Sequence, residues 1–478
     1  MVVGEMAIQA DLIVIGGGPG GYHAAIRAAQ LGRQVLLIEK ADLGGICLNK
    51  GCIPSKVLSE AAARLEDCRK NSLFGIGTGE ADLQFSKLIE HQKKTIDGLR
   101  AGIEALCKTN KVQIITGKAF FLSDTRIGVE DGDKYEIYEF KHAILAAGAK
   151  PVKNSNYQEG GRILNQLAIS FLNEVPRHLV IEGSNSIQLE MAMAYKSLGA
   201  DITILLPGES LSFDSAISKE LARILKKEKI TAIKACQVRE VVESKEGVSI
   251  AITTTGEEKM LQATHFFYEG KQRPESAGLG IDRIGVKLDK EGFILTDSQC
   301  QTSVTGIYAI GDITGGPFLA SKAIKQGKAA AEAACGLKAF TDFRFLPSVT
   351  FTRPPIATAG LTEEQALAEK FDIKTSQFPF ASNGFSSITG KRDGFAKIVS
   401  ERESDVILGV HIIGEGAHEL IVGGVLGLEL GAREEDIHFP AYPHPGFGEA
   451  LLEAAEGLGG KAVHMKPQKE KKNQVLNA

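Results

Sequence analysis

Residues 11–39 place a strand, a glycine turn, a helix and a second strand in one short stretch, an order that few folds accept. Asp11-Leu12-Ile13-Val14-Ile15 is apolar and rich in β-branched residues, and it runs straight into Gly16-Gly17-Gly18-Pro19-Gly20-Gly21. Helical spacing follows over 22–31, then Gly32-Arg33-Gln34 turns the chain into a strand over 35–38 that ends at Glu39. Two strands joined by a helix this way lie parallel in one sheet. Gly16 permits the tight turn, Gly18 lets the backbone approach a pyrophosphate, and Gly21 lets helix and strand pack closely. The phosphates then face the helix N-terminus, and Glu39 accepts the hydroxyls of an adenosine ribose. This unit predicts a bound dinucleotide and suits FAD or NAD equally.

Other segments extend the same fold. A strand over 143–147 ending at Gly148 supplies a further crossing point. Residues 306–312 form a short strand ending in Gly311-Asp312, before helical spacing over 319–334. Asp312 there is a ligand for a ribityl or ribose hydroxyl, or else a turn aspartate. A second βαβ unit starts at Arg177-His178-Leu179-Val180-Ile181-Glu182-Gly183, with a helix ending at Leu198 and a strand over 202–206. Its fold is kept but its ligand chemistry is altered. Asn185 holds the middle-glycine position, Gln188 the third small position, and Leu206 the place of the ribose-binding acid. These residues leave the binding of NAD open.

Two cysteines five residues apart, Cys47 and Cys52, follow the first unit directly. Pro54 suits the first turn of a helix carrying the apolar run 57–65, because its missing N–H costs nothing there. Cys52 then sits at the positive end of that helix, with Lys56 one turn on, and both features favour a thiolate. A dithiol beside a cofactor loop predicts redox chemistry; two packed core cysteines are the plainer alternative. The other five cysteines, Cys68, Cys107, Cys236, Cys300 and Cys335, stand alone as reduced fillers, which fits a cytoplasmic protein rather than a secreted disulfide framework.

The 55 basic and 59 acidic residues give a net charge of -4, so no nucleic acid is implied as a partner. No apolar run reaches membrane-spanning length, and the first ten residues lack the pattern of a signal peptide. Toward the C-terminus, strands over 395–400 and 406–413 and helices over 416–430 and 446–455 predict a separate α+β domain. Between those helices His444 lies between prolines, with Glu449 five residues on. A restrained histidine with a carboxylate partner suits a general base for a thiol, and equally a histidine fixed in a proline-rich turn. His438, His444 and Glu449 lack a ligand spacing with the cysteines, so no metal is implied.

With these residues in view, the chain resembles the FAD-dependent pyridine nucleotide–disulfide oxidoreductases, and among them the dihydrolipoamide dehydrogenases. The most specific match is Cys47-Leu48-Asn49-Lys50-Gly51-Cys52-Ile53-Pro54-Ser55-Lys56. Further matches are residues 16–21, Gly311-Asp312, Ala417-His418-Glu419-Leu420-Ile421 and His444-Pro445 with Glu449. The resemblance implies an α/β chain with two Rossmann-like three-layer nucleotide-binding domains and a C-terminal α+β dimerisation domain. The implied boundaries are an FAD-binding domain over 1–150, an NAD-binding-like domain over 151–274 and a central domain over 275–347. An interface domain over 348–463 and a polar tail over 464–478 complete the chain.

The same resemblance implies that Cys47 exchanges with a dithiol substrate while Cys52 communicates with the flavin, and that Lys56 pairs with Glu190 near it. His444, held by Glu449, serves the dithiol of the second subunit of a homodimer. The implied FAD contacts fall on Gly16, Gly18, Pro19, Gly20, Gly21, Glu39, Lys40, Gly45, Lys56, Gly148, Gly311, Asp312, Leu319 and Ala320, with Gly183 at the second nucleotide loop. The implied activity is oxidation of a lipoyl domain's dihydrolipoyl group, through the cysteine pair and FAD, to NAD+. Two alternatives are a flavin disulfide reductase with another acceptor or dithiol, and a non-catalytic flavoprotein subunit of a dehydrogenase complex. The chain departs from the family pattern at Ile46, Tyr442 and Pro355, and carries one extra residue in Gly270-Lys271-Gln272-Arg273-Pro274.

Overall fold

The computed structural model describes residues 7–77, 79, 81–157 and 160–466. Residues 1–6 and 467–478, which include most of the expected tail, lie outside the described residues. The chain divides into two compact units. One holds the described residues up to 182 with 197–201 and 238–343; the other holds 183–196, 202–237 and those from 344 on.

The first unit is organised by a seven-stranded sheet. Its centre is the strand Ile8–Ile15, parallel to Val35–Glu39 on one side and to Lys134–Leu145 on the other. Gln113–Thr116 extends the sheet beyond Val35–Glu39, and Ile307–Ala309 pairs in parallel with the end of Lys134–Leu145. The antiparallel strands Arg126–Asp131 and Lys118–Phe121 complete it. Leu12, Ile13 and Val14 are fully buried, because helices cover one face and a second apolar cluster covers the other. That is why the strand reads as a continuous apolar run rather than an alternation. The carboxyl ends of the parallel strands all open at one edge, so Gly16, Glu39, Ala146 and Gly311 converge there.

The expected helix over 22–31 is Pro19–Gln30, with Pro19 at its first position. The cysteine helix is longer than its apolar run, Cys52–Lys70. The strand over 143–147 is the end of Lys134–Leu145 and stops at Leu145, since the Ala146 N–H turns to the Ile15 carbonyl. In the same unit, Ile163–Leu164, His265–Tyr268 and His178–Glu182 run parallel, and Val248–Thr254 forms a hairpin with Glu257–Ala263. The longer Gly270 segment still pairs, as Gln272–Pro274 joins Ala149–Pro151 and Gln166 brackets the Gly270 amide and carbonyl.

The second unit contains Asp201–Leu205 beside Thr231–Ile233. It also contains a five-stranded antiparallel sheet of Ser348–Thr350, Ile356–Gly360, Ile407–Ile413, Phe395–Glu401 and Ile373–Pro379. The helices Ala417–Leu430 and Glu449–Leu458 pack on that sheet through Ile421, Leu428, Ala450 and Ala454. The second of these starts at Glu449 rather than 446, because residues 443–448 form a proline- and glycine-bound turn. Beneath the sheet, Lys397 is fully buried and paired with Asp214 and Glu363. Among the described residues no helix is long and apolar enough to cross a membrane.

Candidate active site

The glycine turn is held by backbone contacts that tolerate no side chain. Gly16 has φ +105°, and a Cβ there would stand 2.4 Å from the Ala146 carbonyl oxygen. A Cβ on Gly21 would fall 1.8 Å from the Gly16 carbonyl oxygen, so helix and turn touch backbone to backbone. Gly18 is the N-cap of Pro19–Gln30, and no side chain caps the helix. Its first-turn amides, with no acceptor inside the helix, are left for an anion. Glu39 Oε2 accepts the Gly17 N–H at 2.6 Å and Oε1 the Ala41 N–H at 2.9 Å, which fixes the carboxylate at the strand end.

Opposite it, Asp312 lies in the turn Gly311–Thr314, and burial pushes its carboxyl above the usual carboxylate range while Lys322 opposes this. That carboxyl has no hydrogen bond to any described residue. Lys322 is buried under the same turn, where it donates to the Gly311 and Gly315 carbonyls and the Thr314 hydroxyl. A Cβ on Gly148 would meet nothing within 4 Å, so the crossing point is open. A fixed ribose acid, a bare helix N-terminus and a half-buried acceptor without a donor among the described residues fit FAD. Leu319 and Ala320 are the N-cap and first residue of Ala320–Ala334. Lys40 instead pairs with Glu275 at 2.6 Å, and Lys150 shares that carboxylate.

The cysteine segment is docked on this turn. The Gly44 N–H donates to the Gly17 carbonyl at 2.8 Å, and a Cβ on Gly45 would lie 2.8 Å from the Gly18 Cα. Cys47 lies on the short helix Gly45–Asn49, and Cys52 is the first residue of Cys52–Lys70. Their sulfurs are 2.7 Å apart, with Cys47 as donor and Cys52 as acceptor. The hydrogen bond to Cys52, then burial, push the Cys47 thiol far above its ordinary range, while Lys56 pulls the other way. The helix N-terminus favours negative charge on the Cys52 sulfur.

Three further residues brace this segment. The Asn49 amide donates to the Leu43 and Gly45 carbonyls at 2.9 Å each, and its oxygen accepts from Arg100 at 2.7 Å. Buried Gln92 donates to the Pro54 carbonyl at 3.1 Å. Arg100 and Gln92 come from the helix Phe85–Thr109, whose distance in sequence hides their role. Asn49 lies inside the cysteine motif, but Lys50, Ser55 and Lys56 are polar there too, so the sequence does not single it out.

In the second unit, His444 Nδ1 and Glu449 Oε1 are 2.8 Å apart, and Glu449 Oε2 accepts the Gly446 N–H at 3.0 Å. Burial opposes ionisation of Glu449, but the hydrogen bonds from His444 and Gly446 hold its carboxyl below the usual range. A carboxylate there requires the proton on Nδ1, so Nε2 is the free basic nitrogen. The imidazole is 79% exposed. Tyr442 donates its hydroxyl to the Ile437 carbonyl at 2.8 Å and anchors the turn. His464, assigned to the tail, is bonded to Glu453 at 2.5 Å. Glu190 is buried and accepts the Phe351 N–H at 2.9 Å.

At the second nucleotide loop Gly183 has φ +101°. There the Gln188 carboxamide lies over the turn and accepts the Asn185 N–H at 2.7 Å. Leu206 is buried, its N–H bonded to the Ile233 carbonyl.

Residues 10–327 match the family model for pyridine nucleotide-disulphide oxidoreductases, and residues 346–455 match the model for that family's dimerisation domain. The dihydrolipoyl dehydrogenase of Geobacillus stearothermophilus is 40% identical over 467 residues, 97% of this chain and 99% of that protein. That of Bacillus subtilis (strain 168) is 39% identical over 468 residues, 97% of this chain and 100% of that protein. Among solved structures, LpdA from Mycobacterium tuberculosis has a TM-score of 0.88 at 26% identity, covering 94% of this chain and 100% of that one. The HOCl-induced flavoprotein disulfide reductase RclA from Escherichia coli, at 22% identity and TM-score 0.83 over 93% of this chain and 99% of that one, is alike in fold.

Proposed function

The chain belongs to the pyridine nucleotide-disulphide oxidoreductases, and from that premise we propose that it is a dihydrolipoyl dehydrogenase working as a homodimer. The observation that carries this reading is the Cys47–Cys52 pair at 2.7 Å, set at a helix N-terminus and docked on the dinucleotide turn. In this reading residues 1–150 with 275–347 form the FAD-binding part, 151–274 the nucleotide-binding-like part and 348–463 the interface. The scattered cysteines, with no disulfide among the described residues, suit the cytoplasm.

The substrate is a dihydrolipoyl dithiol carried on a lipoyl domain. His444 of the second subunit, through Nε2, takes the proton of the first substrate thiol. The resulting thiolate attacks Cys47 Sγ of the oxidised pair, breaks the Cys47–Cys52 bond and expels Cys52 as a thiolate. The helix N-terminus and Lys56 stabilise that thiolate. The second substrate thiol then loses its proton to a base, attacks the mixed disulfide at the substrate sulfur, closes the cyclic disulfide and releases Cys47. One dithiol is oxidised and one enzyme disulfide is reduced. FAD held by the glycine turn over 16–21, Glu39 and Asp312 would supply the two-electron chemistry that links the cysteine pair to a pyridine nucleotide. Glu449 holds the His444 tautomer, and Lys56 favours negative charge at the cysteine pair.

The test is anaerobic addition of dihydrolipoamide to the purified holoenzyme, with the flavin absorbance followed in time. Rapid bleaching is the expected result. Absence of bleaching by any dithiol would point to a non-catalytic flavoprotein. The altered second loop favours a variant of the same reading, in which the dithiol half is complete and the pyridine nucleotide is bound weakly. In that variant dihydrolipoamide bleaches the flavin while NADH at ordinary concentrations does so slowly.

A further inference from the structure

The two glycine turns of this chain solve the same geometric problem in opposite ways. In the first, the third position is Gly21 and the helix rests directly on the turn. In the second, that position is Gln188, the third residue of the helix Ser186–Leu198. Its side chain is 3% exposed and folds back across the turn, where a Cβ on Gly183 would meet the Gln188 Nε2 at 2.5 Å. Its Oε1 accepts the N–H of Asn185, the residue preceding the helix, at 2.7 Å. This is the half of a capping box in which the third helical residue reaches back to the N-cap amide.

The satisfied donor matters because of where it stands. The Asn185 N–H occupies the place that Gly18 holds in the first turn, among the amides that a helix N-terminus offers to phosphate. There a carboxamide oxygen already plays the part of a phosphate oxygen. Leu206 takes away an acid that would hold ribose, which costs affinity but fills no space. Gln188 both fills the loop and uses its donor.

We infer that Gln188 is an internal plug of the second phosphate loop: a pyridine nucleotide binds only in the fraction of molecules whose Gln188 carboxamide has left the Asn185 N–H. Gln188 thereby sets the affinity for the nucleotide and leaves the dithiol chemistry untouched. The inference builds on the proposed function, and its test is separable from that reading, because dithiol bleaching of the flavin needs no nucleotide.

The experiment is calorimetric titration of NAD+ into the oxidised, FAD-loaded holoenzyme. Gln188→Ala removes the plug and should tighten NAD+ binding by about tenfold or more, as expected if the open form is a tenth of the population or less. Gln188→Glu keeps the cap, since glutamate serves equally at that position, and sets a carboxylate against the pyrophosphate. It should weaken NAD+ binding by about tenfold or more while its thermal midpoint stays with that of the parent. Equal affinities in all three proteins, weaker binding by Gln188→Ala, or no binding by any of them at millimolar NAD+ would each overturn the inference. Thermal midpoints of all three proteins separate misfolding from a changed loop.

Discussion

Glu449→Gln is a sharp test of the base, because one carboxylate serves two donors. Oε1 faces His444 Nδ1 at 2.8 Å and Oε2 faces the Gly446 N–H at 3.0 Å. Glutamine has one oxygen and one NH2 to set against two N–H groups. If the oxygen keeps the Gly446 amide, the NH2 meets Nδ1 and drives the proton to Nε2, the nitrogen that has to accept one. If the oxygen keeps His444, the Gly446 amide loses its acceptor and the turn loosens. Either way one charge-assisted hydrogen bond is lost, about 1.5–3 kcal/mol. At tenfold per 1.36 kcal/mol this becomes a fall of about 10- to 150-fold in the rate of flavin bleaching by dihydrolipoamide. Anaerobic stopped-flow absorbance measures it, with flavin content per subunit as the control. A variant that keeps more than half the parent rate at full flavin content would refute the tautomer argument.

Three other substitutions follow from the geometry. Cys47→Ser should abolish dithiol oxidation with flavin content unchanged, and normal turnover would remove Cys47 from the exchange step. Gly21→Ala puts a Cβ 1.8 Å from the Gly16 carbonyl oxygen; forcing the helix off the turn should cost about 1–3 kcal/mol and lower flavin retention, read from the flavin-to-protein absorbance ratio. Lys397→Met leaves Asp214 buried without its cation and should cost about 3–5 kcal/mol in chemical denaturation. Burial raises the Asp214 carboxyl, but the hydrogen bonds from Lys397 carry it below its usual value. Its stabilisation is therefore present above the unfolded carboxylate pKa of about 3.9 and lost as pH falls through the lower folded value. That acid-side loss should be smaller in Lys397→Met, measured as the denaturation midpoint against pH.

Much of this molecule could be read along the chain, and for a local reason. Strand Ile8–Ile15, helix Pro19–Gln30 and Glu39 follow from turn chemistry and apolar patterning over a few residues, as do Cys52 at a helix start and Glu449 beside His444. The antiparallel strands 118–121 and 126–131 escaped because four to six residues carry little pattern, whereas the helix 85–109 does carry an amphipathic face, with Ile96, Ile103 and Cys107 buried. Arg100 and Gln92 could not be connected with the cysteine segment, because the contact is set by the packing of a distant helix.

The second nucleotide turn marks the limit most clearly. Its sequence determined that a βαβ order would survive the loss of two glycines, and it singled out Asn185, Gln188 and Leu206 as departures. That Gln188 lies over the phosphate loop depended on a rotamer and on the Asn185 backbone donor three residues away. Only the folded helix, by bringing its third side chain back over its own first amide, decided that Gln188 takes that place.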